Sequence, residues 1–121
     1  MYIKTDTPKI ILAAGVPPKR IEEYVGQVAT GNQQISIARM ISPGGWSEPA
    51  QVPEFDEYSV VLRGELQVKI NDGDPLVLSA GQAISLKAGV KVQYSTPGEE
   101  GAEYISVCTP AFGPDNVHRQ A

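Results

Sequence analysis

Hydrophobic and polar residues alternate with period two along much of this chain, and helical spacing is weak throughout. The cleanest stretch is Glu65-Leu66-Gln67-Val68-Lys69-Ile70, which predicts a strand with Leu66, Val68 and Ile70 toward a core and Glu65, Gln67 and Lys69 toward water. Tyr58 to Arg63 precedes it as a second strand segment across Gly64. Asn71-Asp72-Gly73-Asp74 reads as a hairpin turn, because Asp-Gly supplies the positive φ that a tight reversal needs. Pro75 to Ser79, Ala83 to Lys87, Val90 to Ser95 and Ala102 to Thr109 follow as strands, separated by Ala80-Gly81, Ala88-Gly89 and Pro97 to Gly101. Upstream, Ile35 to Ile41 alternates too: Ile35, Ile37, Arg39 and Ile41 share one face, and Ser36, Ala38 and Met40 the other. Short strands with turn signals at intervals of roughly ten residues predict an all-β sandwich or barrel.

Residues 1–34 read as an irregular lead-in to this domain of residues 35–121. Ile10 to Ala14 is a short strand or half a helical turn, and Gly15 to Pro18 breaks it. Lys19 to Val25 has apolar residues only at 21, 24 and 25, which predicts at most a turn or two of helix. The closely spaced prolines of Trp46 to Pro53 predict an extended or looped segment. The tail, Pro110 to Ala121, has Phe112 as its large apolar anchor and carries the single histidine, His118.

Composition narrows the function. At 121 residues the chain is expected to be one domain able to bury a core without disulfides. Its net charge is -4 and no basic stripe is visible, which disfavours nucleic-acid binding because phosphate neutralisation needs clustered Lys and Arg. No apolar run approaches the ~20 residues that span a bilayer. A cytoplasmic, soluble protein is expected, and Cys108, the one cysteine, cannot form an internal disulfide.

Two glycine frameworks carry a family resemblance. Gly45 is followed by five residues and then Gln51-Val52-Pro53, three more residues lead to Glu57, and six more to Gly64. Gly81 is followed by five residues, then Lys87-Ala88-Gly89, two residues, and Val92. In both spacings the chain resembles the cupin superfamily over roughly residues 35–110, which implies a single small jelly-roll β-barrel. Metal-holding cupins use two histidines and a glutamate of the first motif and a histidine of the second. Those positions are Gln51, Pro53, Glu57 and Val92 here, so only Glu57 offers a good ligand; one carboxylate does not hold a first-row metal tightly. No metal or other cofactor is expected.

The resemblance and the strand alternation together put Gln51, Glu57, Val92 and Tyr94 in a barrel pocket, with Trp46 as a wall and Arg39 facing Glu57 from a neighbouring strand. Arg39 has two readings: a solvated strand-end arginine, or a pocket group that receives an anion. The function these residues favour is binding of a small organic, anionic molecule. An alternative is a metal-independent isomerase, epimerase or lyase, with Glu57 as general base and Tyr94 or His118 as acid. A metalloprotein with unusual ligands is the other. The resemblance implies a homodimer, with the lead-in as its arm.

Overall fold

The computed structural model describes residues 1–13 and 15–120; the expectations that touch Ala14 and Ala121 lie outside the described residues. Among the described residues nine strands make up the regular structure: β1 (Lys9–Ala13), β2 (Lys19–Val25), β3 (Ser36–Ser42), β4 (Trp46–Ser47), β5 (Asp56–Ile70), β6 (Leu76–Ser79), β7 (Ala83–Leu86), β8 (Val92–Thr96) and β9 (Ala102–Thr109). They pair antiparallel in the order β1-β2-β3-β9-β5-β8-β4, with β6 and β7 also against β5. This is the all-β jelly-roll barrel that the cupin resemblance implies. No helix occurs among the described residues, so none is long and apolar enough to cross a membrane.

The two segments expected on either side of Gly64 are one fifteen-residue strand. Its first part, Asp56 to Gly64, pairs with β9; its second, Glu65 to Ile70, pairs with β6 and β8. Strand β5 therefore passes from one sheet into the other, and Gly64 sits at the crossing. A register shift between Val61 and Arg63 adds one residue there. The inward set consequently changes parity, from Glu57, Ser59 and Val61 to Leu66 and Val68. Gly64 has φ +75°, and a Cβ on it would lie 2.1 Å from the carbonyl oxygen of Gly101. Both the dihedral and the close backbone approach require glycine.

The sheet also extends into the lead-in. Lys19 to Val25 is strand β2, not helix, and is hydrogen-bonded between β1 and β3. Its inner side chains are Lys19, Ile21 and Glu23, so the alternation exists but carries charge on the inside. In β3 the buried face is Ser36, Ala38, Met40 and Ser42, while Ile37, Arg39 and Ile41 lie half-buried on the outside. The core gathers Trp46, Val61, Leu66, Val68, Leu78, Val92, Tyr94 and Tyr104. A second cluster of Phe55, Cys108 and Val117, with Phe112 against it, closes the other end. Phe55 and Phe112 meet edge to face, with ring centres 6.1 Å apart.

The tail folds back on the barrel mouth. Val52 and Glu54 donate backbone hydrogen bonds to the carbonyls of His118 and Asn116, and Gln120 donates to Ala50. Alternation along this added edge turns Val117 and Arg119 inward and His118 outward.

The glycine at the sheet crossing can be tested against one that has only an unusual dihedral. Gly64→Ala is expected to destabilise the fold by more than about 3 kcal/mol, from the dihedral and the backbone clash together. Gly45, with φ +75° and nothing within 4 Å of its would-be Cβ, should lose only about 1 kcal/mol as alanine. Urea titration of both variants measures the difference.

Candidate functional site: a buried ammonium inside the barrel

The barrel encloses a cavity of about 30 Å³, walled by Lys19, Glu48, Gln51, Glu57, Tyr94 and Tyr104 among others. At its centre is Lys19, whose side chain is 8% exposed. Its ammonium stands 4.6 Å from the centre of the Trp46 ring and 5.7 Å from that of Tyr104. Lys19 Nζ donates to the Tyr104 hydroxyl at 3.4 Å and lies 3.6 Å from Glu48 Oε1. Both polar contacts are long, so the π faces and the carboxylate field carry much of the compensation for lost water. Burial opposes the charge, but the Tyr104 oxygen, Glu48 and Glu57 outweigh it and hold the Lys19 pKa above its usual value.

Local chain geometry delivers this group. Val16 and Ser47 exchange two backbone hydrogen bonds, at 2.9 and 3.1 Å, which ties the start of β2 to β4 and so sets Lys19 beside Trp46 and Glu48. Gly15 runs against the indole: a Cβ there would be 2.4 Å from Trp46 Nε1.

The carboxylates are tuned by the same environment. Burial raises the pKa of Glu48, against the opposing pull of Lys19 and Arg119. Burial likewise raises Glu57, opposed by the Tyr94 hydrogen bond and Lys19. Tyr94 donates its hydroxyl to Glu57 Oε1 at 2.8 Å, and its own pKa is well above the ordinary phenol value because of burial and the neighbouring carboxylate. This pair can hold a proton beside the cavity, with Tyr94 protonated and Glu57 exchanging. Glu48 Oε2 and Arg119 Nε are buried and have no hydrogen-bond partner among the described residues.

The residues expected from the sequence separate into three groups. Gln51, Glu57 and Tyr94 line the cavity. Val92 and Trp46 are buried in the core beside it; Val92 exchanges two backbone hydrogen bonds with Gln51, and Trp46 offers its ring to Lys19. Arg39 and His118 are elsewhere. Arg39 lies on the outer face of β3, 2.8 Å from Glu22 and 3.5 Å from Glu103, because strand parity that buries Ala38 and Met40 must turn it away from Glu57. His118 is exposed and bonded to Glu54 at the surface, since the tail turns its neighbours inward instead. Sequence reasoning missed Lys19, Glu48 and Arg119. The signal for Lys19 was the alternation Lys19, Ile21, Glu23, obscured by its charges.

The metal positions of the motif do not suit a metal. Pro53 and Val92 have no side-chain donor, Glu57 is engaged by Tyr94, and a lysine ammonium stands in the same cavity. Among the described residues no group of three or more His, Cys, Asp or Glu could hold a metal ion. Cys108, also in the wall, has its pKa raised chiefly by burial and stays a neutral thiol.

Comparison with known proteins agrees with this architecture. A family model described as "Cupin domain" matches residues 39–108, and the chain belongs to that family. A curated relative, "Endoribonuclease YbeY" of Myxococcus xanthus, is 46% identical over 102 residues, covering 84% of this chain and 34% of that protein. The chain thus spans about a third of the length of that relative. Oxalate decarboxylase of Bacillus subtilis superposes with a TM-score of 0.74 at 17% identity, over 97% of this chain and 31% of that one. A protein described as a putative ethanolamine utilization protein Q, from Salmonella typhimurium, superposes with a TM-score of 0.67 at 18% identity, over 87% and 97%. These two structures share the fold with this chain.

Two measurements test the electrostatics. Lys19→Met takes the paired cation from the buried Glu48 carboxylate, leaving only the pull of Arg119, and is expected to destabilise the fold by about 3 kcal/mol. Adding Glu48→Gln should restore a substantial part, read by chemical denaturation of both variants. For Glu57, a folded pKa above the unfolded one means that the folded state binds the extra proton. Its contribution falls as pH rises from about 4.5 toward the raised folded value, so Glu57→Gln should show a flatter loss of stability over that range than wild type. Lys19 acts in the opposite range: its contribution is complete below about 10.5 and is lost as pH rises through its higher folded pKa.

Proposed function

We propose that this cupin domain binds a small organic anion at the mouth of its barrel, using Lys19 and Arg119 as fixed cations in place of a bound metal. The observation that carries the reading is the buried Arg119 Nε with no acceptor among the described residues, beside a cavity that also holds the Lys19 ammonium on two long polar contacts. Buried polar atoms ordinarily have partners, and a ligand or water supplies them when the protein does not. The anion preference expected from the sequence rested on Arg39; with that residue outside, Lys19 and Arg119 supply the positive charge. The inner cavity of about 30 Å³ has room for water or a polar head group and not for a whole organic molecule. The body of the ligand must then sit in the adjoining chamber, which shares Ile21, Glu23, Phe112 and Arg119 as walls.

The curated relative favours a second reading that is compatible with the first: a ligand-binding module that accompanies an endoribonuclease. The similarity covers about a third of that protein, which leaves most of its length for another part. This chain has a net charge of -4 and one histidine, which pairs with Glu54 at the surface; neither suits RNA binding or cleavage within the barrel itself. A homodimer remains a proposal, supported by Met1, Tyr2, Ile3 and Leu12, which are exposed along the first residues and edge strand β1.

Isothermal titration with glycolate, pyruvate, malonate and hexanoate tests the main reading. Binding of at least one acid is expected, weakened tenfold or more by Lys19→Met or Arg119→Gln in protein that retains its fold. Single-stranded RNA should give neither heat nor cleavage. Acid binding unaffected by both variants, or no binding of any acid, would overturn the reading.

A further inference from the structure

A chamber of about 270 Å³ lies beside the inner cavity, between the β1–β2 edge and the tail. Its walls are mostly apolar: Ile11, Leu12, Val28, Phe112 and Pro114. Two charged residues reach it, Glu23 and Arg119, and they differ in how fully they are satisfied. Glu23 Oε2 accepts the backbone N–H groups of Val28 and Ala29, at 2.9 and 2.8 Å. That oxygen is satisfied by the turn that follows β2. Arg119 lies with its guanidinium carbon 5.9 Å from the centre of the Phe112 ring, and its buried Nε has no acceptor among the described residues.

We infer that this chamber holds a monocarboxylate with an unbranched apolar tail, its carboxylate on Arg119 and its tail along Ile11, Leu12, Val28 and Phe112. The inference rests on the reading of the barrel as an anion-binding site, and specifies which anion. An arginine with a free donor recognises a carboxylate by charge-assisted hydrogen bonding. Among the described residues Gln27 is the one uncharged polar side chain in the wall, at the Gly113 side; apart from Glu23 and Arg119 the rest is apolar, so a second carboxylate there would lose water without a cation to receive it. Each methylene of a tail gains about 0.8 kcal/mol on burial, a roughly fourfold rise in affinity per carbon. The chamber thus selects by length, while the inner cavity beside it takes the head group, where Lys19 adds its charge to that of Arg119.

Titration of the intact chain with acetate, butanoate, hexanoate and octanoate, and with hexan-1-ol and malonate, separates the possibilities. Affinity is expected to rise about fourfold per methylene from acetate to hexanoate. Hexan-1-ol and malonate should bind at least tenfold more weakly than hexanoate. Arg119→Gln should lower hexanoate affinity at least tenfold, and Arg119→Lys should restore part of it. Val28→Glu, a change at an exposed rim position, should weaken octanoate more than acetate. Affinity independent of tail length, or equal in Arg119→Gln and wild type, would overturn the inference. If malonate binds in a Lys19-dependent way while hexanoate does not, the anion site stands and the apolar chamber is not its tail pocket. If no acid binds, both fail.

Discussion

A lysine ammonium is held inside a small barrel, and the arrangement of the interior follows from the need to compensate it. Removing such a charge from water is expensive, and it persists only where opposite charge and polarizable surface surround it. Glu48 supplies the first, and the faces of Trp46 and Tyr104 the second. Those aromatics are themselves fully enclosed, so they are fixed as part of the core. The exchange of backbone hydrogen bonds between Val16 and Ser47 then becomes more than a turn contact, because it brings the ammonium and its partners together. Polar chemistry and packing meet in the same few residues.

The barrel framework and its interior can be separated in physical terms. The glycine spacing from Gly45 to Gly64 is intact, and the structure explains the second of these by a backbone approach with no space for a side chain. Gln51 and Pro53 lie inside that framework, and Val92 pairs with Gln51 across the barrel wall. A tethered ammonium differs from a metal ion in physical terms. It offers three hydrogen-bond donors and one charge, cannot accept ligand lone pairs into empty orbitals, and stays attached to the chain.

Much of the fold was legible because the β-strands with one face in an apolar core announce themselves by alternation. Leu66, Val68 and the inner residues of β9 illustrate this. Less was legible where the inner wall is polar. The inward residues of β2 are Lys19, Ile21 and Glu23, and hydropathy does not distinguish such a strand from a surface turn. For Arg39 the two faces of the strand were clear, but the more apolar one was outside: small and hydroxylated side chains, Ser36, Ala38 and Ser42, face the narrow interior. Gln51, Glu57 and Tyr94 were found from motif spacing and strand parity. Glu48 and Arg119 depend on how a proline-flanked segment and the chain's tail fold back onto the mouth, which local pattern does not encode.

Strand β5 belongs to both halves of the barrel, running with β9 before Gly64 and with β6 and β8 after it. A molecule built this way has no seam. Peeling one half open would tear the strand that anchors the other, so amide protons on either side should become accessible to solvent together, in a single opening of the whole barrel.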